Sequence, residues 1–130
     1  MKKLLLTLLL ILVNTSAMAE WSVLSQDDSG IGITVYVDLA TIRKSGDKIK
    51  MWGLTDYKSA MESAEGRYLS KKSRWEYDCK EEQMRLLAMS TYSKNMGSGK
   101  ILFLGSALLV WDPVAPGSIE EKFWRAACDK

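Results

Sequence analysis

The stretch Ser73-Arg74-Trp75-Glu76-Tyr77-Asp78-Cys79-Lys80 alternates strictly. Trp75, Tyr77 and Cys79 fall on one side and Arg74, Glu76, Asp78 and Lys80 on the other. That period of two predicts a strand with one buried and one wet face. Cys79 is on the apolar side, and the only other cysteine, Cys128, stands almost at the end of the chain. A bond between them would pin the C-terminus onto this strand.

The oxidation state of the pair depends on compartment, and the first nineteen residues speak to it. Met1-Lys2-Lys3 is a short cationic start, Leu4 to Val13 is apolar except for Thr7, and Ala17-Met18-Ala19 is a small-x-small cleavage pattern. Ten residues are too few to cross a bilayer core that needs about 20. We therefore expect residues 1–19 to be a cleaved secretory signal peptide, with cleavage between Ala19 and Glu20 and no transmembrane segment afterwards. No cysteine follows the apolar run as a lipid attachment point, so the expected product is not lipid-anchored. In an oxidising compartment two cysteines most simply form one disulfide, Cys79–Cys128; the alternative is two free buried thiols.

Cleavage also changes the charge argument. The chain has 18 basic and 16 acidic residues, but Lys2 and Lys3 leave with the signal, so the remainder is formally neutral. Net charge then gives no support to nucleic-acid binding. Residues 20–130 suit one domain.

Several elements follow from pattern. Trp21 to Leu24 reads as an edge strand and Ile31 to Val37 as a β-branched strand. Asp38 to Ile42 reads as one helical turn capped by Asp38. Ser45-Gly46-Asp47 reverses the chain. Lys48 to Tyr57 is apolar on both faces and is expected at the centre of the sheet. Lys58 to Ser70 reads as a loop with a helical turn at Ala60 to Ala64. After the cysteine strand come a tight connection, a strand over Met84 to Tyr92, and a turn at Asn95-Met96-Gly97-Ser98-Gly99. A strand over Lys100 to Leu104 follows. Asp112-Pro113 and Pro116-Gly117 are expected to stop extended structure. Ser118 and Glu121 form a capping box for a final helix, whose stripe is Ile119, Phe123, Ala126 and Ala127. The expected fold is α+β: one small antiparallel sheet of about six strands, with a C-terminal helix packed on one face and tied to it by the disulfide.

The chemistry on offer is narrow. The sequence has no histidine, which takes away the usual general base near neutral pH and most zinc, copper and haem ligation. The adjacent carboxylates Glu81-Glu82 and Glu120-Glu121 point apart on a strand or helix. Gly97-Ser98-Gly99-Lys100 lacks the first glycine and the following helix of a phosphate-binding loop. We expect no enzyme, no cofactor and no metal site. The five tryptophans, Trp21, Trp52, Trp75, Trp111 and Trp124, are expected to fill the core. Two surface candidates remain. Arg67, Lys71, Lys72 and Arg74, with Tyr68 and Trp75 among them, could form a basic patch for acidic protein loops or sulfated glycans; an ordinary solvated sheet edge explains them too. Ile101 to Trp111 is too apolar for a solvated edge and is a candidate homo-oligomer or partner interface, against simple core packing.

Three stretches together carry a resemblance. Tyr36-Val37-Asp38-Leu39-Ala40-Thr41-Ile42-Arg43-Lys44-Ser45-Gly46-Asp47-Lys48 runs into Met51-Trp52-Gly53-Leu54-Thr55-Asp56-Tyr57-Lys58. Tyr77-Asp78-Cys79 is followed by Met84-Arg85-Leu86-Leu87. Trp111-Asp112-Pro113-Val114-Ala115-Pro116-Gly117-Ser118 precedes Phe123-Trp124-Arg125-Ala126-Ala127-Cys128. In this order the set resembles the surface-adhesin protein E family of bacterial envelope proteins. The resemblance implies a small antiparallel sheet with a disulfide-tied C-terminal helix. It also implies a non-enzymatic binding role toward host extracellular-matrix or plasma proteins. The alternative is a soluble periplasmic envelope or inhibitor-type protein with a bacterial partner. The expected location is accordingly periplasmic, secreted or at the cell surface.

Overall fold

A computed structural model describes residues 20–106 and 110–129. The expected signal segment, and with it Ala19, lies outside the described residues; Glu20 is the first within them and is exposed. Six strands run as an antiparallel meander: β1 (Ser22–Asp27), β2 (Ile33–Ser45), β3 (Lys48–Ser63), β4 (Gly66–Asp78), β5 (Gln83–Tyr92) and β6 (Ile101–Ser106). A two-residue strand, β7 (Asp112–Pro113), pairs with Gln83 and Met84 of β5. The chain closes with α1 (Ile119–Cys128). β3 is central, as its two apolar faces predict, and carries Met51 and Leu54, both fully buried.

Two expected turns of helix are instead bulged strand. Asp38 faces Trp52 and Arg43 faces Lys50, so four residues of β2 stand against Met51 alone. Side chains hold this bulge. The Ala40 amide donates to Asp38 Oδ1, the Thr41 hydroxyl donates to the Asp38 carbonyl, and the Trp52 amide donates to Thr41 Oγ1. Asp38 caps a turn as its composition suggests, but inside a strand.

The same device explains the expected loop over 58–70. β3 and β4 continue as a long hairpin to a two-residue turn at Ala64-Glu65. Between Asp56–Ser70 and Met61–Tyr68 another four residues oppose one. The bulge shifts the phase of the side chains, so the alternation fades while the strand does not. Asp112-Pro113 likewise does not end extended structure, because proline is tolerated on an edge.

Val35, Val37, Ile49, Met51, Tyr77 and Met84 form one buried cluster with Phe123, Trp124 and Ala127 of α1. The missing side chain at Gly53 leaves the space that the Phe123 ring occupies. Ser118 caps the helix by accepting from the Glu121 amide, as the capping box predicts. Cys79 and Cys128 are bonded, with a Cα–Cα distance of 5.6 Å across a separation of 49 residues. Cys79 lies just beyond β4 rather than within it, its amide donating to the Asp47 carbonyl. Beside it the Trp124 indole donates to the Asp78 carbonyl at 3.0 Å.

Neither is the polar side of β4 wet. Glu76 is 7% exposed and receives Arg85 at 2.6 Å. The Asp78 carboxylate accepts the Lys80 and Glu81 amides, building the tight turn into β5. Only Trp124 of the five tryptophans belongs to the buried core. Trp75 packs partly against it, and Trp111 lies under the Arg85 guanidinium at 4.4 Å.

Candidate functional site

Strand alternation divides the basic segment. Lys71 points to the side of α1, where it lines a cavity of about 70 Å³ with Tyr57, Glu120 and Phe123. Burial pushes its ammonium pKa down, while Glu120 opposes that shift. Lys72 and Arg74 belong to the opposite side, with Lys72 beside Leu54 and Arg74 beside Trp52 in the ladder. Arg67 sits near the hairpin tip, paired with Glu62 at 3.0 Å. The structure thus brings Lys72 and Arg74 to one face and separates both from Lys71.

That second face is hollow. Leu54 alternates with Gly53, so it points away from Phe123, yet it is 0% exposed. A cross-strand row of Tyr36, Leu54, Lys72, Ser90 and Leu104 traverses β2 to β6. Above it lies a groove of about 330 Å³. Trp21, Asp38 and Trp52 line it from the β2–β3 side; Lys72, Ser90 and Tyr92 line it from β4 and β5; Leu104 contributes from β6. The residues around Asn95–Gly97 fold back over this side of the sheet. The Asn95 side chain and the Met96 amide both donate to Asp56, and the Gly97 amide donates to Ser70 Oγ.

The groove's polar groups have neighbours within the protein. The Lys72 ammonium stands 5.2 Å from the Tyr92 ring centre, and its stem passes close to Gly97. Ser90 and Tyr92 share a hydroxyl–hydroxyl bond of 2.8 Å. Asp38 is 3% exposed; one carboxylate oxygen accepts the Ala40 amide, and no cation among the described residues pairs with it. Trp52 carries the signal by which the groove could have been found. It shares a phase of β3 with Lys50, Leu54 and Asp56, a mixed polar and apolar face on which a large indole need not belong to the core.

Of the expected Ile101 to Trp111 interface, residues 107–109 lie outside the described residues. Ile101 and Leu104 are exposed on β6, Leu104 at 78%, and Val110 is exposed as well. Among the described residues no three His, Cys, Asp or Glu side chains gather as a metal site, and no helix is long and apolar enough to cross a membrane.

The described residues thus form a disulfide-tied antiparallel meander with an aromatic-lined groove on one face of the sheet. The chain belongs to the surface-adhesin protein E family, whose sequence profile matches residues 21–129. Solved structures of Haemophilus influenzae protein E share its fold. Crystal form II superposes with a TM-score of 0.59 at 11% identity, over 73% of this chain and 80% of that one. Protein E from non-typeable Haemophilus influenzae gives 0.57 at 10% identity, over 88% and 79%. No curated protein sequence matches the chain significantly.

Proposed function

We propose that the protein is an exported, non-enzymatic binding module of the adhesin type, released by cleavage between Ala19 and Glu20. The family match over residues 21–129 carries this reading. We read α1 as a cover on one face of the sheet, which leaves the other face, with Lys72 and Arg74, to meet a partner. A protein of the host extracellular matrix or plasma fits the family's adhesin character. The exposed Ile101 and Leu104 on the outer strand β6 are read as a second contact, for a partner or another copy of the chain.

The test is a pull-down with the oxidised chain from Glu20 onward, run in parallel on matrix and plasma proteins and on bacterial envelope extract. Salt-sensitive capture of a matrix or plasma protein, reduced by Lys72→Ala with Arg74→Ala, supports the proposal. Capture only from the envelope extract supports the periplasmic alternative instead. Protease shaving of intact cells separates the two locations, since a periplasmic protein survives it. Light scattering tests self-association through β6, which a strict monomer at high concentration would rule out.

A further inference from the structure

The groove on the second face offers two kinds of surface at once, and we propose that it binds a pyranose ring of a glycan. Trp21 and Trp52 line the groove, and an indole packs well against the axial C–H groups of a pyranose chair. Around that apolar middle stand groups of opposite hydrogen-bonding sense. Asp38 only accepts, and its second carboxylate oxygen has no protein donor among the described residues. That oxygen is not sealed inside the protein, since among the described residues only the Tyr77 and Thr91 hydroxyls are buried without a partner; it is open to a ligand in the groove. Sugar hydroxyls donate to such an oxygen. At the other side Lys72 only donates, and Ser90 with Tyr92 keeps one hydroxyl proton to spare after their mutual bond.

Other occupants fit less well. A fatty chain would bury Asp38 and Lys72 without partners. A cationic side chain would meet Lys72, which already stands over the Tyr92 ring. An acidic peptide would meet Asp38. A hydroxyl-bearing ring satisfies acceptor and donors together. At about 330 Å³ the groove lies at the small end of ligand sites, roughly 300–1,000 Å³, which suits a mono- or disaccharide unit. Asp38 is oriented by the Ala40 amide within the β2 bulge, so that acceptor needs little ordering on binding.

This inference goes beyond adhesion to a protein and does not require it. The experiment titrates the oxidised chain from Glu20 onward with maltotriose, an N-acetylglucosamine trisaccharide and a heparin tetrasaccharide. Tryptophan fluorescence and ligand-observed NMR give the readout. At least one saccharide is expected to bind. Asp38→Asn and Trp52→Ala should each weaken it roughly tenfold or more, the loss of one good buried contact. Trp52→Phe should recover part of the affinity. Lys72→Gln should weaken the heparin fragment more than the neutral sugars if acidic glycans are the class, and all equally if neutral ones are. Lys71→Gln, on the other side of the sheet, should change nothing. Near-ultraviolet dichroism of each variant confirms that it is folded. Binding by none of the three saccharides overturns the proposal, as does binding unchanged in both folded Asp38→Asn and Trp52→Ala. A chain that binds sugar but no matrix protein keeps this inference and loses the adhesin reading.

Discussion

Gly53 and Phe123 show how one absent side chain sets a contact between sheet and helix. The ring of Phe123 occupies the space a Cβ on Gly53 would need. Gly53→Ala should therefore destabilise by about 1–3 kcal/mol through overpacking. Urea unfolding reads it directly, and an unchanged midpoint would mean that the ring is not seated there. Asp78 makes a different prediction. The Glu81 amide holds its carboxyl below the usual value of 3.8, with Lys80 and Lys48 acting in the same direction and burial opposing them. A carboxyl with a depressed folded pKa adds stability above its unfolded value and loses it as pH falls through the folded one. Melting temperature should fall as pH drops below about 4. Asp78→Asn should flatten that slope, and identical slopes would remove the carboxylate from the account. At this scale the sequence was partly misleading. Strict alternation marks the inward side of β4 correctly, but Glu76 and Asp78 are buried too, satisfied by Arg85 and by turn amides. Composition alone does not show a carboxylate that is buried because it is bonded.

The elements divide by whether their rules are local. The capping box at Ser118, the turn at Gly46-Asp47 and the strand ladders follow from neighbouring residues, and each is legible. The bulges are not. At Asp38 to Ile42 and again after Asp56, four residues oppose one, which breaks the period of two within a continuous strand. The result imitates a helical turn in one place and a loop in the other. The groove was missed for a related reason. Trp21, Asp38, Trp52 and Tyr92 are far apart in sequence and meet only through strand order. The helix in turn depends on its link to the sheet. Ten residues are too few to remain helical alone in water. A disulfide closing 49 residues contributes about 4 kcal/mol on the chain-entropy view. Cys79→Ser should release α1 and leave a partly molten domain. Intact near-ultraviolet dichroism with an unchanged melting temperature would contradict this.

Across the whole molecule the two sides of the sheet hold different inventories. Val35, Val37, Met51 and Tyr77 cluster with Phe123 and Trp124 of the helix; Trp21, Trp52, Lys72 and the buried Asp38 line the groove on the other side. Strand β4 serves both, because Lys71 and Lys72 are neighbours in sequence and lie on opposite sides of the sheet. A binding role based on the second side makes a clear demand. Surface plasmon resonance of the oxidised chain from Glu20 onward should be run over the matrix or plasma protein it captures best. The Lys72→Glu, Arg74→Glu double variant is then compared with Lys122→Glu, on the helix. The double variant should lose at least tenfold in affinity, about 1.4 kcal/mol or more, while Lys122→Glu binds as wild type. Equal binding by all three folded proteins, or loss confined to Lys122→Glu, would contradict it.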